Sequence, residues 1–236
     1  MAKRHLTRIG LAVTALAMVA AGCSGTGSGE DDKTISIGAV PGWTDQTGTA
    51  HLLKNILEDN GYTVEIKELS DNAPVFAGVA NGDIDIFSST WPERTHKSYM
   101  DKYGDKLEDL GTYYEDAALY LAVPEYSDIK SIDELPSHAN ELGGKVVGIE
   151  PGAGLTKLTK ESAFPKYGLD KDFKLVQSST TAMITELKKA SAAKEPIVVT
   201  LWRPFWVNQS FPVRALEDPK GAYGDTENLH SMGRPG

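Results

Sequence analysis

The sequence predicts an α/β protein built as two similar lobes with a ligand cleft between them. Three observations lead there. From Lys33 onward, strand-like and helix-like segments alternate, and the plan β-α-β-α-β runs twice. The two copies share a pitch, since Trp43 to Trp91 spans 48 positions and Gly154 to Trp202 spans 48. Finally, three predicted strands run out into a tryptophan, at Trp43, Trp91 and Trp202. In open α/β sheets ligands bind beyond the carboxyl ends of the strands. Three indoles meeting there would form an aromatic cage, which suits a quaternary ammonium group.

The N-terminus is set apart from this plan. Lys3, Arg4 and Arg8 precede an uncharged apolar run from Ile9 to Ala21, too short for a stable membrane span and patterned as a signal-peptide core. It ends in Ala20-Ala21-Gly22-Cys23, and Cys23 is the only cysteine of the 236 residues. Small residues before a lone cysteine resemble the lipobox of bacterial lipoproteins, although Ala20 stands where Leu is commonest. The resemblance implies a signal peptide over 1–22 and a lipidated Cys23. The Gly/Ser/acidic stretch that follows reads as a flexible tether over 23–33. Without residues 1–22 the chain carries 21 basic and 33 acidic residues, a net charge of −12 with histidines neutral. So acidic a body argues against nucleic acid as a partner. One cysteine excludes any disulfide within the chain.

Lobe I is expected over 34–118. Ile35–Val40 is a strand leading through Pro41-Gly42 to Trp43. Around Thr49–Asn60, Leu52, Leu53, Ile56 and Leu57 share a face at helical spacing, with Gly61 as the stop. Thr63–Leu69 alternates as a strand. A short helix near Ala73–Ala80 ends at Asn81-Gly82, Asp83–Phe87 is the third strand, and polar Arg94–Lys106 reads as a surface helix.

Lobe II is expected over 119–208. Ala117–Val123 is an apolar crossover strand between the lobes. Lys145–Ile149 is a strand leaving into Glu150-Pro-Gly-Ala-Gly154. Leu155–Tyr167 reads as a helix, Phe173–Gln177 as a strand, and Thr180–Ala193 as a helix with Met183, Ile184 and Leu187 on one face. Ile197–Leu201 is the strand that runs into Trp202. Residues 209–236 would return to lobe I, with Phe211–Leu216 as the return strand. The expected covering helices do not follow, which reads as a truncated C-terminal segment.

Common catalytic and redox signatures are missing. There is no P-loop, His-Glu-x-x-His, Cys-x-x-Cys or Gly-x-Ser-x-Gly, and the five histidines show no metal-ligand spacing. No metal or other cofactor is expected. Two features carry binding chemistry instead. Gly152-Ala153-Gly154-Leu155 joins a strand to a helix, where free amides suit an anion. His96 follows Trp91 within Trp91-Pro-Glu-Arg-Thr-His96 and is able to donate to a carboxylate. Indole faces for a methylated ammonium, with amides and an imidazole for a carboxylate, describe a receptor for a zwitterion.

At these residues the chain resembles the substrate-binding proteins of glycine betaine ABC transporters. The segments are Val147-Gly-Ile-Glu-Pro-Gly-Ala-Gly-Leu155, Trp202-Arg-Pro-Phe-Trp206, Trp91-Pro-Glu-Arg-Thr-His-Lys-Ser-Tyr99 and Gly42-Trp43. The resemblance implies the two-lobed periplasmic-binding-protein fold of type II, closing on its ligand by a hinge. It also implies a cage of Trp43, Trp91 and Trp202, with the ligand carboxylate held by the Gly154 and Leu155 amides and by His96. Trp206 fits the family pattern as a support for its loop. The implied partners are a betaine, an ABC permease with its ATPase, and the membrane through the lipid anchor, outside the cytoplasm. Choline, carnitine, proline betaine or a sugar are alternative ligands. An enzyme with His96 as base lacks a nucleophile or acid partner.

Overall fold

The computed structural model describes residues 33–236, so the signal-like run, Cys23 and most of the tether lie outside the described residues. In chain order the first elements are β1 (Thr34–Ala39), α1 (Thr44–Asp59), β2 (Thr63–Glu68), α2 (Asn72–Asn81), β3 (Ile86–Thr90), α3 (Lys97–Tyr103) and β4 (Glu108–Pro124). They continue with β5 (Lys145–Val147), α4 (Gly154–Leu158), α5 (Phe164–Tyr167), β6 (Lys174–Val176), α6 (Thr180–Ala193), β7 (Val199–Arg203), α7 (Val207–Ser210), β8 (Val213–Ala215) and β9 (Glu227–Gly233).

The double βαβαβ plan is present in the hydrogen bonding. In the first copy β1 is central, parallel to β2 on one side and β3 on the other. In the second, β5 is central between β6 and β7, again parallel. Among the described residues the strands follow one path, β2-β1-β3-β9-β4-β7-β5-β6, with β8 beside β4. Residues 108–117 of β4 pair with β9, residues 118–122 with β7, and residues 122–124 with β8. The change of partner follows Asp116, a non-glycine residue at φ 60° whose carbonyl accepts the Arg203 guanidinium at 2.8 Å. A left-handed residue in a strand turns the chain sharply. The first half of the sheet is therefore β1, β2, β3, β9 and the start of β4. The second is the end of β4 with β5, β6, β7 and β8.

Several boundaries differ from the sequence reading. β4 begins nine residues earlier than the apolar run at Ala117. Its polar start is exposed and holds its place through the distant partner β9, which periodicity does not reveal. The strand that reaches back to the first half is β9; Phe211–Leu216 contributes β8, which pairs with the end of β4 in the second half. Trp202 lies inside β7, opposite Leu119, because antiparallel pairing with β4 carries the strand on to Arg203. Asp83 and Ile84 belong to the turn after α2, where both amides donate to the Gly78 carbonyl. The helix over 154–167 is interrupted by a π turn at Thr159–Ala163.

Packing shows why the elements hold. On α1 the buried side is Ala50, Leu53 and Leu57 against Ile37 and Val64, while Leu52 and Ile56 are 59% and 50% exposed. Ala50, Leu53 and Leu57 share an i, i+3, i+7 stripe, and Leu52 and Ile56 lie about a quarter-turn away. α2 starts on the Asp71 carboxylate, which accepts from the Asn72 amide, and stops at Gly82 in the left-handed region. α6 starts on Ser179, whose Oγ accepts from the Ala182 amide, and buries Met183 and Leu187. The main core runs through both halves, with Phe76, Phe87, Leu121, Leu135, Leu187 and Leu201 fully enclosed. None of the described helices is long and apolar enough to cross a membrane.

Candidate functional site

The carboxyl ends of β1, β3 and β7 open toward one cavity. Trp43 precedes the first turn of α1, Trp91 follows β3 directly, and Trp202 projects from β7. All three are at most 5% exposed and line this cavity together with His96, Gly154 and Leu155. The Trp43 and Trp202 rings meet edge to face, centroids 6.4 Å apart. Trp202 is backed by Phe205, stacked at 3.8 Å. Trp206 is not in the lining; it is 43% exposed and rests against Phe205 and Phe211. The cavity is narrow, about 30 Å³.

Two carboxylates that the sequence reading did not single out hold the indoles. Trp43 Nε1 donates to Glu150 Oε2 at 3.0 Å and to Thr180 Oγ1 at 2.7 Å. Glu150 also accepts the Thr180 amide and hydroxyl. Trp202 Nε1 donates to Asp45 Oδ1 at 3.1 Å, and Ser89 Oγ to Asp45 Oδ2 at 2.9 Å. The Trp91 indole also favours the charged form of Asp45. Burial pushes the Asp45 carboxyl above its ordinary value, opposed by these donors. The sequence signal was adjacency: Asp45 stands two residues after Trp43, and Glu150 opens the glycine turn.

His96 is positioned by a closed loop. Its amide donates to the Trp91 carbonyl at 2.8 Å, and the Trp91 amide returns a bond to His96 Nδ1 at 3.0 Å. β9 clamps the same loop, because the buried Glu227 carboxylate accepts from the amides of Arg94 and Thr95 and from the Thr95 hydroxyl. His96 is 2% exposed, and Phe76 meets its ring edge-on at 5.3 Å. Burial lowers its pKa to about 3, so the imidazole is neutral near pH 7.

Gly154 sits against this loop from the other half. A Cβ there would fall 2.3 Å from the Thr95 carbonyl oxygen, so only glycine allows the approach. Gly152 is gripped at both polar groups from the first half. Its amide donates to Asp71 at 2.7 Å, and its carbonyl accepts from the Tyr99 hydroxyl at 3.0 Å. The arrangement offers aromatic faces with acids behind them at one end, and amides with a neutral imidazole at the other. Among the described residues no cluster of His, Cys, Asp or Glu is arranged to hold a metal ion.

Residues 33–236 match the family described as the substrate binding domain of ABC-type glycine betaine transport systems. The chain belongs to that family. It is a family of transport binding domains and not of enzymes. Over 97 residues the chain is 45% identical to the glycine betaine/carnitine transport binding protein GbuC of Listeria monocytogenes. That match covers 41% of this chain and spans about a third of the relative, 32% of its length. Among solved structures, the glycine/betaine/L-proline-binding protein ProX of Borrelia burgdorferi is 33% identical with a TM-score of 0.80, over 85% of this chain and 75% of that one. Lactococcal OpuAC, closed and complexed with glycine betaine, is also 33% identical at TM-score 0.80, over 87% and 78%. A choline binding protein in complex with choline is 30% identical at TM-score 0.77, over 88% and 73%. The fold is thus the mixed α/β, type II periplasmic-binding-protein fold.

Two outcomes follow from the geometry. The folded-state pKa of His96 is depressed, so between pH 6.5 and about 3 the unfolded chain holds a proton that the folded one does not. Stability tied to His96 is therefore complete above the unfolded pKa and lost as pH falls toward 3. Urea titrations at about pH 7 and about pH 4.5 should show His96→Gln escaping a loss of about 2–3 kcal/mol that the wild type suffers. Asp45 and Asp71, raised by burial, act with the opposite sign in both proteins and cancel in the comparison. Second, Gly154→Ala should force the two halves apart at Thr95. Tryptophan emission should move to the red with the far-ultraviolet circular dichroism unchanged; unchanged emission would contradict the contact.

Proposed function

We propose that the chain captures glycine betaine, or a closely related betaine, as the lipid-anchored extracytoplasmic component of an ABC importer. It would hand the ligand to a permease driven by its ATPase. The observation that carries this reading is the composition of one cavity. Trp43, Trp91 and Trp202 line it with His96, Gly154 and Leu155, and buried acids bond the Trp43 and Trp202 N–H groups. A trimethylammonium group has no hydrogen to donate and is held by aromatic faces, each contact contributing about 0.5–2 kcal/mol. The carboxylate would take the Gly154 and Leu155 amides and the neutral His96. Together these amount to roughly 6–8 kcal/mol, enough for micromolar binding.

The three tryptophans, His96 and Leu155 that line the cavity are buried, so entry of a betaine requires the halves to part and close again. Lobes over 34–118 and 119–208, with β8 beside the second and β9 returning the chain to the first, describe the bodies that would move. Membership in a transport family, with relatives named for glycine betaine, supports the ligand class. Choline is the second reading, favoured by the choline-bound neighbour at 30% identity.

Titration of intrinsic tryptophan fluorescence separates these readings. Glycine betaine should bind in the micromolar range and choline at least about tenfold more weakly, since choline forgoes the charge-assisted bonds. Trp91→Leu should weaken glycine betaine by about tenfold or more. Equal affinity for choline would overturn the carboxylate assignment. For the anchor, Cys23→Ser should move the protein from the membrane fraction to the soluble fraction and abolish its labelling by fatty acid. Retention of both would refute lipidation at Cys23.

A further inference from the structure

A line of buried side chains behind the cavity carries more hydrogen-bond donors than it can place. The Val40 amide donates to Gln46 Oε1 at 2.8 Å, and Gln46 Nε2 donates to Asn72 Oδ1 at 3.1 Å. Asn72 Nδ2 then faces His96 Nε2 at 2.8 Å, and at the far end the Trp91 amide donates to His96 Nδ1 at 3.0 Å. Gln46 and Asn72 are fully buried and His96 nearly so.

Both ends of this line are backbone N–H groups, which donate and never accept. The Val40 amide sets the orientation of Gln46, which then offers Nε2 to Asn72; turning Asn72 over would only move the opposed donors to the Gln46–Asn72 step, so the line keeps one donor too many. In this structure Gln46 is satisfied by Asn72 Oδ1 and Asn72 arrives at His96 as a donor. A neutral imidazole has one accepting nitrogen, and the Trp91 amide occupies Nδ1. The ring hydrogen is then on Nε2, and two donors, Asn72 Nδ2–H and His96 Nε2–H, point at each other. Both residues line the ligand cavity.

We propose that Asn72 is a specificity-determining residue, forming with His96 a two-donor site that an acceptor-only, anionic ligand oxygen satisfies. This rests on the betaine reading and deepens it. The site selects a carboxylate against a hydroxyl, because a charged oxygen that accepts from both donors gains more than a neutral one. Asn72 thereby joins the Gly154 and Leu155 amides as a carboxylate contact, from the opposite half.

Calorimetric titration of wild type, Asn72→Ala and Asn72→Asp with glycine betaine and with choline tests the assignment. Asn72→Ala should weaken glycine betaine by about tenfold or more and leave choline within about threefold. Asn72→Asp accepts from both Gln46 and His96 but opposes an anionic ligand. It should lose glycine betaine by about a hundredfold or more while keeping choline, inverting the ratio. Equal weakening of both ligands by either variant would overturn the proposal. A second measurement needs no variant and no ligand. Long-range proton–nitrogen NMR of the wild type should show His96 protonated on Nε2, and protonation on Nδ1 would overturn the donor pair. If the wild type binds neither ligand the betaine reading fails, while the ring tautomer still decides the donor pair.

Discussion

The hydrogen bonds between indoles and buried acids set the geometry of this protein. Trp43, from the first half of the sheet, donates to Glu150 of the second, and Trp202 of the second donates to Asp45 of the first. A carboxylate taken out of water costs several kcal/mol unless donors surround it. Each acid therefore finds its full set of partners when the halves are together. The same bonds hold Trp43 and Trp202 against the cavity that Asp45 also lines. The contacts that join the two halves are thus the same ones that orient the tryptophans.

The sheet makes that exchange possible through a single long strand. β4 serves the first half with its opening residues and the second half with its last ones, changing partner between Ala117 and Ala118, just past the left-handed Asp116. β9 then pairs with both β3 and β4, and from it Glu227 reaches the loop that carries His96. A strand far from the cavity in sequence so fixes the loop that follows Trp91. Gly152, bonded from Asp71 and Tyr99, and Gly154, seated on Thr95, bring the second half to the same loop. Both positions exclude a side chain for reasons of contact with the opposite half.

The two ends of the cavity differ in polarity. The aromatic end is backed by Asp45 and Glu150, and the other end presents donors, with His96 held neutral by burial. An uncharged imidazole adds a hydrogen bond without adding a positive charge beside the tryptophans. That division is what the proposed betaine, with a positive and a negative group a short distance apart, would use.

What the sequence determined by itself is the local grammar. Alternating strands and helices, the repeated 48-residue pitch, Gly82 as a helix stop and α6 over Thr180–Ala193 are all written in short-range patterns. The three tryptophans, His96, Gly154 and Leu155 were visible as distinctive residues at element ends, and the structure places all of them in one cavity lining. The polar start of β4, the pairing of β9, and the roles of Asp45, Glu150, Asn72 and Glu227 were not visible. Each depends on a partner far away in the chain: Trp202 Nε1 for Asp45, Trp43 Nε1 for Glu150, Thr95 for Glu227. An acidic residue beside a tryptophan reads as an ordinary solvated charge until the fold removes its water. Periodicity reports which side of an element is buried; only the tertiary structure decides which donor meets which acid there.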